Sequence, residues 1–359
     1  MEGAMRFEKI APYTYRIPRQ GKMRVDAIFF ASEEILKDLE GENYASLQQL
    51  MNVATLPGIV EPALAMPDIH WGYGFPIGGV AAFDPEEGGV VSPGGVGFDV
   101  NCGVRLLASH LTLENLLPRQ RELADTLYRL IPSGVGSERK DVRFSKKELK
   151  EILREGAGWL IRRGFGYPED LHFIESEGRL PWANPDKVSE RAFERGAPQI
   201  GTLGSGNHFL EVQYVDQIYD EEAAEAFGLF PNQITVLIHT GSRGLGHQVC
   251  QDYVERFLKV APRYGIELVD KQLAAAPIQS PEGQDYLQAM AAAANFAFAN
   301  RQLIAHFVRE AFEAVGFPPR EHGLRVLYDL AHNNAKFEEH GGKRVLVHRK
   351  GATRAFGPG

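Results

Sequence analysis

Four histidines and one Asp–Cys pair lie where short apolar segments of the sequence meet small and polar residues. The histidines are His70 in MPDIHWGYG, His208 in GSGNHFLEV, His239 in VLIHTGSRGLGH and His332 in VLYDLAHNNAK, and the pair is Asp99 and Cys102 in GGVGFDVNCGVR. Active sites commonly form at the ends of buried strands, because a rigid scaffold holds the side chains there. A thiolate, a carboxylate and several imidazoles together form a natural ligand set for a transition metal.

The spacing of these residues does not by itself determine a metal site. No two of these four histidines stand four residues apart, and the sequence has no C-x-x-C pair. Each ligand would therefore come from a different part of the fold. A buried free cysteine is often only a small hydrophobic residue, and an isolated histidine is commonly a surface or core residue. If a metal binds, the softness of cysteine and histidine donors favours zinc over manganese.

Hydrophobic periodicity predicts the elements that must position these residues. Helices are predicted at 32–56, with Ser32 as N-cap, and at 113–130, 145–162, 248–260 and 281–315. Short strands joined by tight turns are predicted in the glycine-rich segment 71–103, with further strands at 234–239, at 326–330 and from 343 onward. The sequence shows no linker. We therefore expect one large α+β domain, residues 1–359, of mixed β-sheets flanked by helices.

Length, composition and charge exclude several classes of protein. The 359 residues are 44% hydrophobic and contain no apolar run of about 18 residues, which excludes a transmembrane helix. Glu2, Glu8 and Lys9 interrupt any apolar stretch at the N-terminus, so we expect no signal peptide, no membrane partner and a cytoplasmic protein. Two cysteines exclude a disulfide framework. A net charge of −8 disfavours nucleic-acid binding by global charge but allows a local basic groove.

Seven motifs together resemble the RtcB family of RNA-splicing ligases, from about residue 60 to the last residue. They are DIHWGYGFPIGG, SPGGVGFDVNCGVR, GTLGSGNHFLEV, HTGSRGLGH, ANFAFANRQ, DLAHNNAKFE and HRKGATRAFGPG. The resemblance implies a ligase of tRNA splicing or RNA repair that joins RNA ending in a 2′,3′-cyclic phosphate or 3′-phosphate to RNA with a 5′-hydroxyl. It implies GTP and two Mn²⁺ ions as cofactors and a histidine–GMP intermediate. It leaves open the oligomeric state and the need for an activating partner such as archease.

The resemblance also assigns roles to individual positions of this sequence. It implies that the metal ligands are Asp99, Cys102, His208, His239 and His332, with Cys102 bridging the two ions. A zinc ion found in a crystal would not contradict this assignment. Guanylate contacts are implied for Asn207, Phe209, Glu211 and Asn333. Arg243 matches the arginine that meets phosphate, and Asp99, Cys102 and Arg243 are the expected catalytic residues.

The residue types suit this chemistry, although each has a simpler interpretation. Nucleotidyl transfer needs charge neutralisation on phosphate oxygens, which two metal ions supply. Phe209 can stack on guanine and Glu211 can accept hydrogen bonds from its N1–H and N2–H₂ edge, but a core aromatic and a solvated carboxylate are the alternatives. The glycines and Arg243 of TGSRGLGH suit phosphate binding, and a plain glycine-rich turn is the alternative.

Positive charge is concentrated near the end of the sequence. Five basic residues follow one another without an intervening acid: Lys343, Arg344, Arg349, Lys350 and Arg354. Such a strand can hold RNA phosphates within an acidic protein, and we predict phosphate contacts for Arg349 and Lys350. A charged, solvated edge strand is the alternative.

The sequence departs from the family pattern in one respect. Family members are expected to extend well beyond HRKGATRAFGPG, and both the histidine that becomes guanylylated and a terminal lysine that contacts GMP lie in that extension. None of the eleven histidines here has the matching context. We therefore expect a C-terminally incomplete ligase that keeps its metal site but cannot form the covalent guanylate. The alternatives are a non-catalytic metal- and RNA-binding module, or a zinc-dependent phosphodiesterase that uses Cys102 and the histidines.

Overall fold

The computed structural model describes residues 5–357, which form helices and mixed β-sheets. The protein therefore belongs to the α+β class, as the sequence predicts. Its contacts divide the chain into two compact units. The first takes the described residues of Met1–Val100, His247–Met290 and His332–Gly359, and the second takes Asn101–Gly246 and Ala291–Ala331. That they form a single domain stays a prediction. No helix within residues 5–357 is long and apolar enough to cross a lipid bilayer.

The first unit is built on a seven-stranded sheet. In spatial order its strands are β1 (Glu8–Ala11), β2 (Thr14–Ile17), β3 (Ala27–Phe30), β4 (Ala63–His70), β5 (Ile77–Phe83), β13 (Lys343–Lys350) and β12 (Asn333–His340). β3 and β4 run parallel and the other neighbours antiparallel. A separate two-stranded ribbon pairs β6 (Val90–Val91) with β10 (Ala276–Pro277). Because β13 lies between β5 and β12, the interpretation of the basic segment as an edge strand is wrong.

The predicted helix at 32–56 is two helices, α1 (Glu33–Gly41) and α2 (Ala45–Val53). The predicted N-cap is confirmed, since the Ser32 side chain accepts a hydrogen bond from the backbone N–H of Ile35. The break falls at Asn43 and Tyr44, whose φ angles of 55° and 56° are left-handed and interrupt a right-handed helix. Both helices bury apolar side chains in the core that includes β3 and β4.

The second unit is built on a four-stranded antiparallel sheet. Its spatial order is β11 (Arg325–Ala331), β7 (Gly103–Thr112), β9 (Gln233–Thr240) and β8 (Phe209–Tyr214). The register pairs Gly103 with both Thr240 and Ala331, and pairs Phe209 with His239. Four strand ends that contain sequence-predicted site residues, or lie next to them, therefore meet at one edge of this sheet.

Nine further helices complete the described structure. They are α3 (Leu113–Leu116), α4 (Gln120–Leu130), α5 (Lys146–Glu155), α6 (Ala157–Ile161), α7 (Glu190–Gly196), α8 (Glu221–Phe227), α9 (Arg243–Val260), α10 (Pro281–Ala314) and α11 (Pro319–His322). The predicted helix at 145–162 is interrupted at Gly156, which has a φ of 61°. α9 begins five residues before its predicted start at 248, so the TGSRGLGH motif forms a helix start rather than a loop alone.

The middle of α10 is buried on all sides. Every residue from Ala291 to Ala305 is buried, including four polar ones, Asn295, Asn300, Arg301 and Gln302. The Asn300 side chain accepts hydrogen bonds from the N–H groups of Gly201 and Thr202. Buried polar side chains persist when such bonds satisfy them, and here they attach the helix to the segment that precedes His208.

Candidate metal centre

Three sequence-predicted metal ligands meet at the edge of the four-stranded sheet. Cys102 directly precedes β7, and His208 directly precedes β8. His239 is the next-to-last residue of β9. The Sγ atom of Cys102 is 3.5 Å from Nε2 of His208 and 3.3 Å from Nε2 of His239. Cys102 and His239 are buried and His208 is half-buried. We call these three residues the Cys–His cluster.

Backbone carbonyls determine which nitrogen of each imidazole faces the cysteine. Nδ1 of His208 lies 3.1 Å from the Leu203 carbonyl oxygen, and Nδ1 of His239 lies 2.9 Å from that of Asn207. A carbonyl oxygen only accepts hydrogen bonds, so Nδ1 carries the proton in both rings. Nε2 of each ring therefore faces Sγ, and with the Nδ1 proton in place this is the nitrogen through which the neutral ring would bind a metal.

The distances within the cluster fit two donors on one ion. Metal–sulfur bonds of about 2.3 Å and metal–nitrogen bonds of about 2.0–2.1 Å place neighbouring ligand atoms about 3.1–3.6 Å apart for angles between 90° and tetrahedral. The observed 3.5 Å and 3.3 Å lie in that range. The donor types and their orientation therefore fit a divalent transition metal without rearrangement of the three side chains.

Arg243 places a cation beside the cluster. It is the first residue of α9 and has a left-handed φ of 52°. Its Nε donates to Oγ1 of Thr202 at 3.2 Å, and its Nη2 donates to Oγ of Ser137. Gly204 lies against the same guanidinium: a Cβ there would be 2.2 Å from Nη1 of Arg243 and 3.0 Å from Nδ1 of His208. A Cβ at Gly204 would therefore displace the Arg243 guanidinium and press against the His208 ring.

The predicted guanine contacts occupy one face of β8. Side chains two residues apart on a strand point to the same side, so Phe209 and Glu211 share a face. The Phe209 ring is half-buried and packs edge-on against the His239 ring, with centroids 5.3 Å apart. Glu211 is exposed and accepts a hydrogen bond from Gln213. Asn207 is exposed, and its backbone carbonyl orients His239.

The remaining predicted ligands, Asp99 and His332, belong to the first unit. There the Asn333 side chain donates to the carbonyl oxygen of Asp99 at 3.0 Å and accepts from the N–H of Gly351 at 2.8 Å. The carbonyl oxygen of His332 accepts from the N–H of Ala352. Asn333 thus brings together the backbone beside two predicted ligands. Its predicted contact with guanylate stays a prediction, as do the metal roles of Asp99 and His332.

Comparison with known proteins identifies the family. The model of a family described as tRNA-splicing ligase RtcB matches residues 49–359. The chain belongs to the RtcB family. It is 55% identical to the tRNA-splicing ligase RtcB of Archaeoglobus fulgidus over 366 residues, which cover 100% of this chain and 74% of that relative. It is 52% identical to the tRNA-splicing ligase RtcB of Methanococcus maripaludis, with 98% and 74% covered, and 53% identical to the RNA-splicing ligase RtcB of Mycobacterium tuberculosis, with 86% and 72% covered.

Family membership makes this chain an RtcB-type RNA ligase, and the predicted resemblance is confirmed. Two residues of this RtcB chain that were predicted to contact RNA, Arg349 and Lys350, form hydrogen bonds with other residues of the first unit. Both Nη atoms of Arg349 donate to the Glu338 carboxylate. Lys350 is only 4% exposed and donates to the carbonyl oxygens of Tyr73 and Gly94. Burial lowers the pKa of Lys350 to about 8. These contacts weigh against phosphate binding by either residue, which stays a prediction.

The sequence does not indicate the groups that orient the side chains of the Cys–His cluster. The carbonyls of Leu203 and Asn207 are backbone atoms, so no side-chain type in the sequence could indicate them. Asn300 and Arg301 lie in the ANFAFANRQ motif, but the sequence analysis gives them no role. These polar residues interrupt an otherwise apolar helical segment. A buried polar side chain needs a specific hydrogen-bond partner, so this pattern could have indicated their role.

Proposed function

We propose that this protein is a GTP- and Mn²⁺-dependent RNA ligase of the tRNA-splicing or RNA-repair type. In the proposed reaction, RNA ending in a 2′,3′-cyclic phosphate or 3′-phosphate is joined to RNA with a 5′-hydroxyl through a histidine–GMP intermediate. Membership of the RtcB family supports the RNA ligase activity. The observation that best supports the metal dependence is the Cys–His cluster, in which both Nε2 atoms face the Cys102 sulfur and both Nδ1 atoms face backbone carbonyls.

Asp99 and His332 are the proposed partners of the cluster in metal binding. Asp99 stands three residues before Cys102. Ala331 pairs with Gly103, the residue after Cys102, and one peptide bond leads from Ala331 to His332. Consecutive Cα atoms are only about 3.8 Å apart, so chain connectivity limits how far either residue can lie from Cys102. The five side chains together offer a carboxylate, a thiolate and three imidazoles.

Metal ions held there would neutralise charge on phosphate oxygens and lower the pKa of bound water. A cysteine–histidine set by itself favours zinc. The carboxylate of Asp99 is the donor in the set that suits Mn²⁺, and manganese as the working ion is what the family resemblance implies. Two ions, bridged by the Cys102 sulfur, are part of the proposal.

The other side chains of the site bind and orient the nucleotide. Phe209 and Glu211, on one face of β8, offer an aromatic surface and a hydrogen-bond acceptor to guanine. Arg243 offers its guanidinium to the phosphates, because it is anchored by Thr202 at the start of α9 and points along Gly204. Asn207 and Asn333 complete the proposed guanylate contacts. The histidine that accepts GMP is, by the family resemblance, not among the eleven histidines of this sequence.

Metal and nucleotide binding by residues 1–359 test the proposal directly. Equilibrium dialysis is expected to show Mn²⁺ and GTP bound to the chain. Cys102→Ser should weaken Mn²⁺ binding by more than the roughly 10- to 100-fold that loss of an outer partner of a metal ligand causes. Cys250→Ser is the matched control, because Cys250 is also buried, and burial raises the pKa of its thiol to about 12. A protonated thiol of this kind is a poor metal ligand.

The outcomes separate the candidate functions. Equal Mn²⁺ affinity in the Cys102→Ser variant and the wild type would reject the metal site. Hydrolysis of a 2′,3′-cyclic phosphate by the zinc-loaded chain without GTP would favour the phosphodiesterase. Binding of both Mn²⁺ and GTP by residues 1–359, without hydrolysis of the cyclic phosphate, supports the ligase.

A further inference from the structure

Arg301 connects two backbone segments of the Cys–His cluster. This residue lies in the second half of α10 and is fully buried. Its Nη1 donates to the carbonyl oxygen of Asn101 at 2.8 Å and to that of Thr240 at 2.9 Å. Asn101 directly precedes Cys102, and Thr240 directly follows His239. A single nitrogen therefore spans the peptides next to two of the three cluster residues.

These two carbonyls lie where the ladder between β7 and β9 ends. The last pair of that ladder is Gly103 with Thr240. Asn101, two residues before Gly103, has a left-handed φ of 56°, so the chain turns away from extended geometry before it reaches Cys102. His239 lies within that ladder, paired with Val104, whereas Cys102 lies beyond its last pair, so sheet pairing alone does not set the position of Cys102 relative to His239. The bonds from Arg301 do, because they fix both peptides to one guanidinium.

The guanidinium is itself held in one orientation. Its Nε and Nη2 donate to both oxygens of the Asp329 carboxylate at 3.0–3.2 Å. Asp329 lies on β11 and also accepts from Nε of Arg105 on β7 at 2.7 Å. Burial alone would raise the pKa of Asp329, but the charges and hydrogen bonds of Arg301 and Arg105 outweigh it and hold that pKa below its usual value. The carboxylate therefore stays ionised and holds the guanidinium of Arg301 in place.

We infer that Arg301 is a positioning residue that sets the separation between the Cys102 sulfur and the His239 ring, and thereby the affinity of the cluster for a divalent metal. The metal part of this inference rests on the proposed function. Arginine is required rather than lysine. Only the planar guanidinium can bind a carboxylate through two of its nitrogens while its third nitrogen donates to two backbone carbonyls. Arg301→Lys keeps the charge and loses this geometry.

A matched control lies two turns further along α10. Arg309 is buried as well, forms the same two-nitrogen ion pair with Asp170, and donates its Nε to the Leu324 carbonyl. None of these partners adjoins the Cys–His cluster in the sequence. Arg309→Lys therefore reproduces the loss of a buried fork without touching the peptides beside Cys102 and His239.

The experiment measures two properties of wild type and both variants at one fixed pH. The first is Mn²⁺ affinity, by equilibrium dialysis. The second is the rate at which iodoacetamide alkylates Cys102 in metal-free protein, followed by peptide mass spectrometry so that Cys250 is scored separately. Arg301→Lys is expected to weaken Mn²⁺ binding about 10- to 100-fold. It should also raise the alkylation rate of Cys102 about tenfold, which corresponds to loss of one hydrogen bond from a charged donor. Arg309→Lys should change neither.

Each outcome decides one of the two proposals. Unchanged alkylation of Cys102 in Arg301→Lys, or an equal rise in Arg309→Lys, overturns the positioning role. Faster alkylation in Arg301→Lys alone, with no Mn²⁺ binding by the wild type, supports the positioning role and rejects the proposed metal function. If Arg301→Lys does not fold, Asp329→Glu displaces the same fork by one methylene, with Asp170→Glu as its control and the same expected results.

Discussion

The Gly204→Ala substitution places a methyl group where the Arg243 guanidinium lies. The new Cβ would be 2.2 Å from Nη1 and 2.6 Å from Cζ of Arg243, closer than any non-bonded contact allows. The Arg243 side chain is flexible, so we expect it to move away rather than the fold to break. It would then lose its hydrogen bonds to Thr202 and Ser137.

Two separable effects follow from this substitution. The left-handed φ of 92° at Gly204 costs an alanine about 1–2 kcal/mol of folding free energy. Displacement of Arg243 removes hydrogen bonds from a charged donor to the proposed phosphate position, which are worth about 1.5–3 kcal/mol. GTP should therefore bind about 10- to 100-fold more weakly.

Gly206→Ala separates the two effects. Gly206 also has a left-handed φ, 74°, but nothing lies within 4 Å of its Cβ position. Urea unfolding should show a similar loss of stability in the two variants, whereas equilibrium dialysis of labelled GTP should show the large loss of affinity only in Gly204→Ala. Equal GTP affinity in the two variants would refute the role of Arg243 in phosphate binding.

Two further predictions concern buried charges. Asp329→Asn leaves Arg105 and Arg301 buried without their counter-charge and should lower the free energy of unfolding, measured in urea, by about 3–5 kcal/mol. The control, Glu190→Gln, removes an exposed ion pair with Lys146 and should change the free energy of unfolding by less than about 1 kcal/mol. Equal losses in the two variants would contradict this reasoning. Burial lowers the pKa of Lys350 from 10.5 to about 8. Between these values the unfolded chain binds more protons, so wild-type stability should gain up to about 3 kcal/mol as pH rises from 8 to 10.5, a gain that Lys350→Met should lack; parallel stability curves would argue against it.

The sequence predicts the long, regular parts of the fold well. The strand at 234–239 and the helix at 281–315 are found as Gln233–Thr240 and Pro281–Ala314, because a buried apolar run and a long alanine-rich segment are strong signals. Helix interruptions are missed, although Asn43 and Gly156 are residue types that tolerate the left-handed φ found at the two breaks. The strands β1 to β4 are not predicted either. β1 to β3 are only four residues long, and the sequence of β4, ALAMPDIH, does not alternate between apolar and polar residues.

Part of the candidate site can likewise be predicted from the sequence, and part cannot. Residue types and family motifs identify Cys102, His208 and His239, and the structure brings these three together. Which imidazole nitrogen faces the thiol depends on carbonyls that have no sequence signature. For the basic strand β13, the sequence pattern suggests a feature that the structure does not show. Five positive charges in twelve positions suggest an exposed surface, yet Lys350 is buried and Arg349 is paired with Glu338 from the neighbouring strand. Charge pattern alone does not reveal pairing across strands.

The middle of α10, from Ala291 to Ala305, is buried on all sides, so the segments it holds beside the site should be among the last to open. Backbone amides from Ala291 to Ala305 can exchange with solvent only when the surrounding structure opens, because no face of that segment touches water. Asn295, Asn300 and Arg301 add bonds from this helix to the backbone at Leu180, Gly201 and Asn101. Hydrogen exchange at those tethered segments should therefore follow global unfolding rather than local fraying, and the cysteine and its neighbours should stay in register until the whole unit melts.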